Sequence, residues 1–319
     1  MSKIMVAGVA ALAACGVLGL APAAGQASSV LAASWTKQAP AAHPSAREWT
    51  DMTYDAATGN VVLFGGYNNG HYLRDTWTWD GTTWTRQNPA SSPPAQASPA
   101  MAYDAATGNV VLYSDHSDSV STWTWNGTTW TQQKVGNPPG SPAPSMAYDA
   151  ATGTVVLLLD TANTSQTWTW NGTSWKNQTP ATSPHYRYGA AMAYDAATGT
   201  VVLFGGYSPP IIGDTWTWNG TTWTEQDPAT SPPARAEAMM AYDSATGTVV
   251  LYGGIRPGGR ILGDTWTWDG TTWTQQAPAT HPSLRLGGAM AYDAATSTAV
   301  LFGGQGRSDR MLSDTWTWG

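Results

Sequence analysis

The chain closes on Ser313–Gly319, SDTWTWG, a phrase that elsewhere runs on: Asp264–Gln275 reads DTWTWDGTTWTQ. The last copy stops before the second half of its own pattern, and that half stands at the other end of the chain. Ser34–Gln38, SWTKQ, is an orphan ahead of the first full unit. Its Trp35 lies 19 residues before Tyr54, the spacing that separates Trp84 from Tyr103 in a complete unit. Residues 34–38 are therefore expected to pair with DTWTW at the C-terminus and complete the final sheet.

The unit itself recurs six times. MAYDAATG or a near copy places its Tyr at 54, 103, 148, 194, 242 and 292. A period of this size marks one repeated supersecondary unit. Each copy reads as four strands. MAYD is strand a, and DAATGN is a turn in which Asp bonds the backbone ahead and Gly takes a positive φ. VVLFGG, β-branched and apolar, is strand b; DTWTW, alternating with period two, is strand c. DG or NG is a hairpin signal, TTWTQQ is strand d, and a Pro-rich connector follows. A two-residue turn at Asp80-Gly81 would pair Trp79 with Thr82 and Trp77 with Trp84, placing all three Trp on one face. Burying one Trp is worth roughly 4–6 kcal/mol gross. A lone sheet cannot bury such a face, whereas units stacked about an axis can. Setting Trp49 aside, the 19 Trp leave three per unit for six units. The expected fold is all-β: a six-bladed β-propeller of four-stranded antiparallel blades, its ring closed by shared ends.

Composition narrows the partners. The chain has 319 residues, of which 11 % are charged, and a net charge of −7. Without a basic run it offers no footprint for nucleic acid. Residues 1–28 hold one Lys, an apolar run and small residues, the pattern of a secretory signal peptide, with the propeller spanning 29–319. Gly and Ala dilute the run and Pro22 ends it, against a membrane span. Leu12–Cys15, LAAC, also resembles the bacterial lipobox, which would put a lipid on Cys15, although the residues after it stay apolar. The expected location is extracellular or cell-envelope, with a lipid anchor as the alternative. Cys15 is the only cysteine, so the mature chain has no disulfide.

These units resemble the kelch repeat. The marks are Gly65-Gly66, Gly205-Gly206, Gly253-Gly254 and Gly303-Gly304 after an apolar strand, and Trp84, Trp223, Trp273 and Trp35 in strand d. The resemblance covers residues 34–319. It implies a propeller that acts as a binding scaffold, a monomer without a cofactor. Galactose oxidase, the best-known secreted enzyme with such repeats, needs a Cys cross-linked to Tyr in its copper site, and the mature chain has none. Sialidases are also six-bladed, but their Asp-box has a spacer between Asp and Gly that is absent at Asp80-Gly81 and Asp269-Gly270, and no Arg triad is evident.

Two units depart from the pattern. Gly-Gly becomes Ser114-Asp115 in the second and Leu159-Asp160 in the third. The other four carry Arg47, Arg187, Arg235 and Arg285 before strand a, and Asp75, Asp214, Asp264 and Asp314 at the start of strand c. The two irregular units have Gln96 and Ser141, then Ser121 and Gln166. Three features absent together suggest three features that touch: an Arg–Asp pair over Gly-Gly, with Gly leaving room for the guanidinium.

The a–b and c–d turns are nearly invariant and share one face. The b–c loops and d–a connectors vary and share the other, where a ligand is expected. Candidate ligand-binding residues there are Trp49, Tyr186 and Tyr188 as aromatic faces beside Arg47 and Arg187, and His71 and Tyr72 in one long loop. Asp115, His116 and Asp160, with Asp118 nearby, form an acidic group, and Arg256 and Arg307 occupy other long loops. Such carboxylates with a His suit a cation or acid–base work, but loop Asp residues commonly accept backbone N–H bonds instead. His43 and His281 read as exposed connector residues. No catalytic or metal-ligating set is defined. The expected role is binding of a protein or a cell-surface glycan; a carbohydrate-active enzyme using loop carboxylates and a structural envelope module stay open.

Overall fold

The computed structural model describes residues 33–116, 119–161 and 164–319. The expected leader and Cys15 lie outside them, as does Asp118. Among the described residues no helix is long and apolar enough to cross a membrane.

Six four-stranded antiparallel sheets form the fold. In blade 1, strands a to d are Asp51–Asp55, Asn60–Phe64, Thr76–Trp79 and Trp84–Gln87. Blades 2 to 5 repeat the order from first strands Ala100–Asp104, Ser145–Asp149, Ala191–Asp195 and Met239–Asp243. Blade 6 takes Ala289–Asp293, Thr298–Phe302 and Thr315–Trp318 from the C-terminus and Trp35–Lys37 from the N-terminus. Trp35 faces Trp318 and Lys37 faces Trp316. Flanking bonds from Ser34 N to Gly319 O and Gln38 N to Thr315 O extend the seam over the expected stretch. The six strands a touch one another in a closed ring, blade 6 against blade 1 included.

The c–d hairpin corrects the expected register. Trp79 pairs with Trp84, and Trp77 with Arg86, so the loop has four residues. Asp80 sets it: its Oδ1 accepts the N–H of Thr82 at 2.9 Å and of Thr83 at 2.7 Å. A carboxylate that caps two amides stabilises the wider turn over a two-residue one. The slip is two residues, an even number, so the three Trp still share a face.

The core lies between blades. Met52, Val61, Leu63, Trp79 and Trp84 of blade 1 pack against Ala289, Ala291, Val300 and Phe302 of blade 6. Each strand-d indole also reaches the preceding blade. Trp130 Nε1 donates to Thr76 Oγ1 at 2.9 Å and Trp175 to Thr122 at 2.8 Å. Trp223, Trp273, Trp35 and Trp84 do the same to Thr167, Thr215, Thr265 and Thr315. The alternation of Thr and Trp thus serves two packing surfaces: Trp fills one interblade face while the first Thr of strand c accepts the neighbour's indole on the other.

Candidate functional site

Each regular blade carries a clamp on the connector face. The Arg47 guanidinium, fully buried, donates to both carboxylate oxygens of Asp75 at 2.8 Å and to Gly65 O at 2.9 Å. Arg187–Asp214, Arg235–Asp264 and Arg285–Asp314 repeat this geometry, with nearest approaches of 2.6, 2.8 and 2.8 Å. The indole of Trp77 adds a third donor to Asp75 at 2.7 Å. Burial alone would push the Asp75 carboxyl up; the hydrogen bonds and charge of Arg47 outweigh it and hold the group below its ordinary value. Asp214, Asp264 and Asp314 behave alike. The glycines are needed for two contacts rather than one. Gly65 has φ 68°, and a Cβ there would sit 2.9 Å from Gln96 O of the next connector. A Cβ on Gly66, at φ 107°, would lie 2.9 Å from Glu48 O and 3.4 Å from Arg47 Cδ.

Blades 2 and 3 fill the same joint differently. Strands b and c run on, to His116 and from Ser119 in blade 2, to Thr161 and from Thr164 in blade 3. Asp115 Oδ2 accepts Ser141 N at 2.8 Å, and Asp160 Oδ1 accepts Arg187 N at 3.0 Å. In the regular blades a loop carbonyl takes this amide, as Leu73 O takes Gln96 N. The two carboxylates therefore stand in for backbone acceptors. Asp160 also accepts Ser165 Oγ at 2.5 Å. Burial still raises its pKa to about 6 against these bonds.

The connectors then converge on the axis. The residue five before each repeat Tyr is Trp49, Ser98, Ala143, Gly189, Glu237 or Gly287, and every one is left-handed, with φ from 47° to 62°. Their amides chain from blade to blade: Trp49 N to Gly287 O, Ser98 N to Trp49 O, Gly189 N to Ala143 O, Glu237 N to Gly189 O and Gly287 N to Glu237 O. Among the described residues, the link from Ala143 N to Ser98 O, between blades 2 and 3, is missing from this collar. Glycine tolerates such a φ without strain; Trp and Glu do not, and strain of this kind clusters at functional sites. Trp49 and Glu237 turn toward each other across Gly287. Trp49 Nε1 donates to Glu237 Oε2 at 3.0 Å, and a Cβ on Gly287 would lie 2.9 Å from the indole.

From Trp49 an aromatic run leads outward, to Tyr67 at 5.7 Å, Tyr72 at 5.6 Å further and His116 at 6.0 Å between ring centroids. Beside it opens a cavity of about 390 Å³. Its aromatic walls are Trp49, Tyr72 and Tyr188, and Asp115, His116 and Glu237 supply titratable groups. Gln96 and Ser141 form part of the lining, in the places that Arg holds elsewhere. Gln96 is 1 % exposed; its Oε1 accepts Ser114 Oγ at 2.8 Å, while its Nε2 has no hydrogen-bond partner. A second cavity of about 150 Å³ lies at the axis inside the collar, lined by Asp51, Met146, Met192 and Met240 among others. A larger cleft of about 600 Å³ runs along the blade 6 seam beside Lys37 and His43, without an aromatic cluster.

Of the residues expected to bind a ligand, the cavity brings together Trp49, Tyr72, Asp115, His116 and Tyr188. His71, exposed beside Tyr72, does not line it, and Tyr186 only backs Tyr188 at 6.5 Å. Asp160 is buried in its backbone role. Arg256 and Arg307 sit in the loops of blades 5 and 6, away from the lining. His43 and His281 each hold Nδ1 2.8 Å from the carbonyl of the following Pro. No group of three or more His, Cys, Asp or Glu is placed to hold a metal among the described residues.

Sequence reasoning missed Glu48, Glu237 and Gln96 as site residues. Aligning units on Tyr would have exposed Glu237, because it shares its repeat position with Trp49. Glu48 is 2 % exposed with Oε2 unpartnered; burial first, then the charges of Glu237 and Asp309, push its pKa up to about 7. Burial raises Glu237 as well, with the Trp49 hydrogen bond opposing. Asp51, where other blades have Ala, Ser or Met, is pushed to about 7 by burial, against bonds from the Met101 and Met52 amides. The site can stack an apolar ring face on three aromatic walls and offer its rim acidic and amide groups.

Fold and geometry define a six-bladed β-propeller with a built cavity on its connector face. Among solved structures the chain is similar to YjhT, with a TM-score of 0.64 at 11 % identity over 86 % of this chain and 95 % of that one. At this identity the likeness carries the fold alone. No family model matches the sequence, and no curated protein does.

Proposed function

We propose that the protein is an exported, kelch-type propeller that binds carbohydrate in the cavity bounded by Trp49, Tyr72 and Tyr188. One observation carries the reading: three aromatic faces from blades 1 and 4 converge on one cavity with the unpartnered amide of buried Gln96. Sugar rings present an apolar face to an aromatic wall and hydroxyls to polar groups, which suits this lining. The leader-like residues 1–28 support export, and the Gly-Gly and Trp marks support the kelch resemblance. A glycan array probed with the full chain tests the reading. Trp49→Ala and Tyr72→Ala should each weaken binding by about tenfold or more, on the scale of one lost stacking contact, while Arg256→Ala leaves it unchanged. Binding indifferent to both aromatic substitutions would overturn the assignment of the cavity.

The coupled carboxyls of Glu48 and Glu237 favour a second reading, a carbohydrate-active enzyme in which a carboxyl of raised pKa acts as proton donor. Asp115 and Asp160, the loop carboxylates expected for that role, already hold backbone amides. Release of reducing ends from a bound oligosaccharide, abolished by Glu237→Gln, would favour the enzyme.

A further inference from the structure

The charge of the lining says which sugars fit. Among the described residues the cavity wall contains two carboxylates, Asp115 and Glu237, and neither Lys nor Arg. Behind Glu237, the buried carboxyl of Glu48 adds a third acidic group whose Oε2 has no partner. The guanidiniums that come nearest in sequence, Arg47 and Arg187, are fully buried and neutralised by Asp75 and Asp214. Among the described lining residues the imidazole of His116 is what could face a carboxylate or phosphate on a ligand; it stands against two carboxylates, and the net charge of −7 adds to the repulsion. Aromatic faces beside carboxylates are, in contrast, the chemistry that holds an ammonium: the ring quadrupole attracts it from one side and the carboxylate from another. Gln96, 1 % exposed, lines the same cavity, and its buried amide nitrogen has no partner.

Resting on the carbohydrate reading above, we infer that the ligand is an amino sugar, bound with its protonated amine between Glu237 and Asp115 and its ring against Trp49 or Tyr72. Glu237 stays hydrogen-bonded to Trp49, so the carboxylate that meets the amine also fixes the stacking wall.

The test is calorimetric titration of the full chain with three probes at about pH 6, where an amine is charged. They are a β-1,4-linked glucosamine oligosaccharide, its fully N-acetylated form, and choline as an ammonium without a sugar. The glucosamine oligomer should bind at least tenfold tighter than the acetylated one, and choline weakest. Glu237→Gln, which keeps an acceptor for the Trp49 indole, should erase the preference for the amine, and Asp115→Asn should reduce it. Equal or tighter binding of the acetylated oligomer would overturn the amine and leave the carbohydrate reading standing. Choline binding as tightly as the glucosamine oligomer would overturn the amino sugar by removing the ring. Failure of both oligomers, with no glycan bound on the array, would overturn the carbohydrate reading itself.

Discussion

The four regular blades and the two irregular ones solve one joint in different ways. In blades 1, 4, 5 and 6 a buried Arg is locked by Asp, by a glycine carbonyl and by the connector backbone. In blades 2 and 3 the Arg is absent, and Asp115 and Asp160 bond the next connector directly; long strands b and c are not peculiar to them, because blade 4 has them as well. The cavity opens where the clamp is missing, and Gln96 and Ser141 line it in place of arginines. The open link of the axial collar, between Ser98 and Ala143, falls at the same blades. Uniform repeats make the ring, and the departures from uniformity open the cavity.

The largest test of this contrast is mechanical. Asp214→Ala strips the partner from a buried guanidinium and should cost about 3–5 kcal/mol in urea unfolding. Gln166→Ala, at the same position of blade 3, loses only neutral bonds, from the Trp168 indole at 3.0 Å, from Asn177 at 3.3 Å and to Thr161 Oγ1 at 2.9 Å, and should cost about 1–2 kcal/mol. Equal losses would break the contrast. Next in size is a feature that both kinds of blade share. Thr167→Val and Thr215→Val each leave a buried indole, of Trp223 or Trp273, without its acceptor. Both should cost about 1–3 kcal/mol, alike in the irregular and regular blade. A loss confined to one class would show that the Trp–Thr ring is not a uniform part of the frame.

The frame was legible because repetition samples each position six times. The seam of Trp35 with Trp318 followed from a spacing, and the joint absence of Arg, Asp and Gly-Gly pointed to groups in contact. The hairpin register was not legible, because Asp80-Gly81 fits two turn lengths and only its carboxylate bonds to Thr82 and Thr83 decide between them. The site was half legible. Trp49 and the irregular loops stood out as exceptions to the repeat, but Glu48 and Glu237 sit in connectors whose convergence depends on how the ring closes. Arg256 and Arg307 were chosen for loop length, and a long loop need not lean toward the axis.

A smaller effect concerns the collar. Ala143 holds a φ of 47° where blades 4 and 6 use glycine. Ala143→Gly should stabilise by up to about 1 kcal/mol by releasing that strain. Destabilisation of that size would mean that the Ala methyl, which borders the cavity, is worth more as packing.

The smallest effect separates the clamp carboxyls from the buried Glu48 by pH. The clamp carboxyls have depressed pKa values in the folded chain, so their stabilisation is present above the ordinary Asp range and is lost as acid protonates them. Glu48 has the opposite sign. Its pKa rises from the ordinary 4.5 to about 7 on folding, so the folded state binds more protons between those values, and stability falls as pH rises through that window. Glu48→Gln should flatten this slope and stabilise the protein at about pH 8 by about 1 kcal/mol, with no change under acid conditions, where Glu48 is neutral in both states. Asp214→Ala, by removing one depressed carboxyl, should instead weaken the acid limb. Urea titrations at several pH values distinguish the two variants. An unchanged slope in Glu48→Gln would mean that the buried Glu48 carboxyl carries no strained charge.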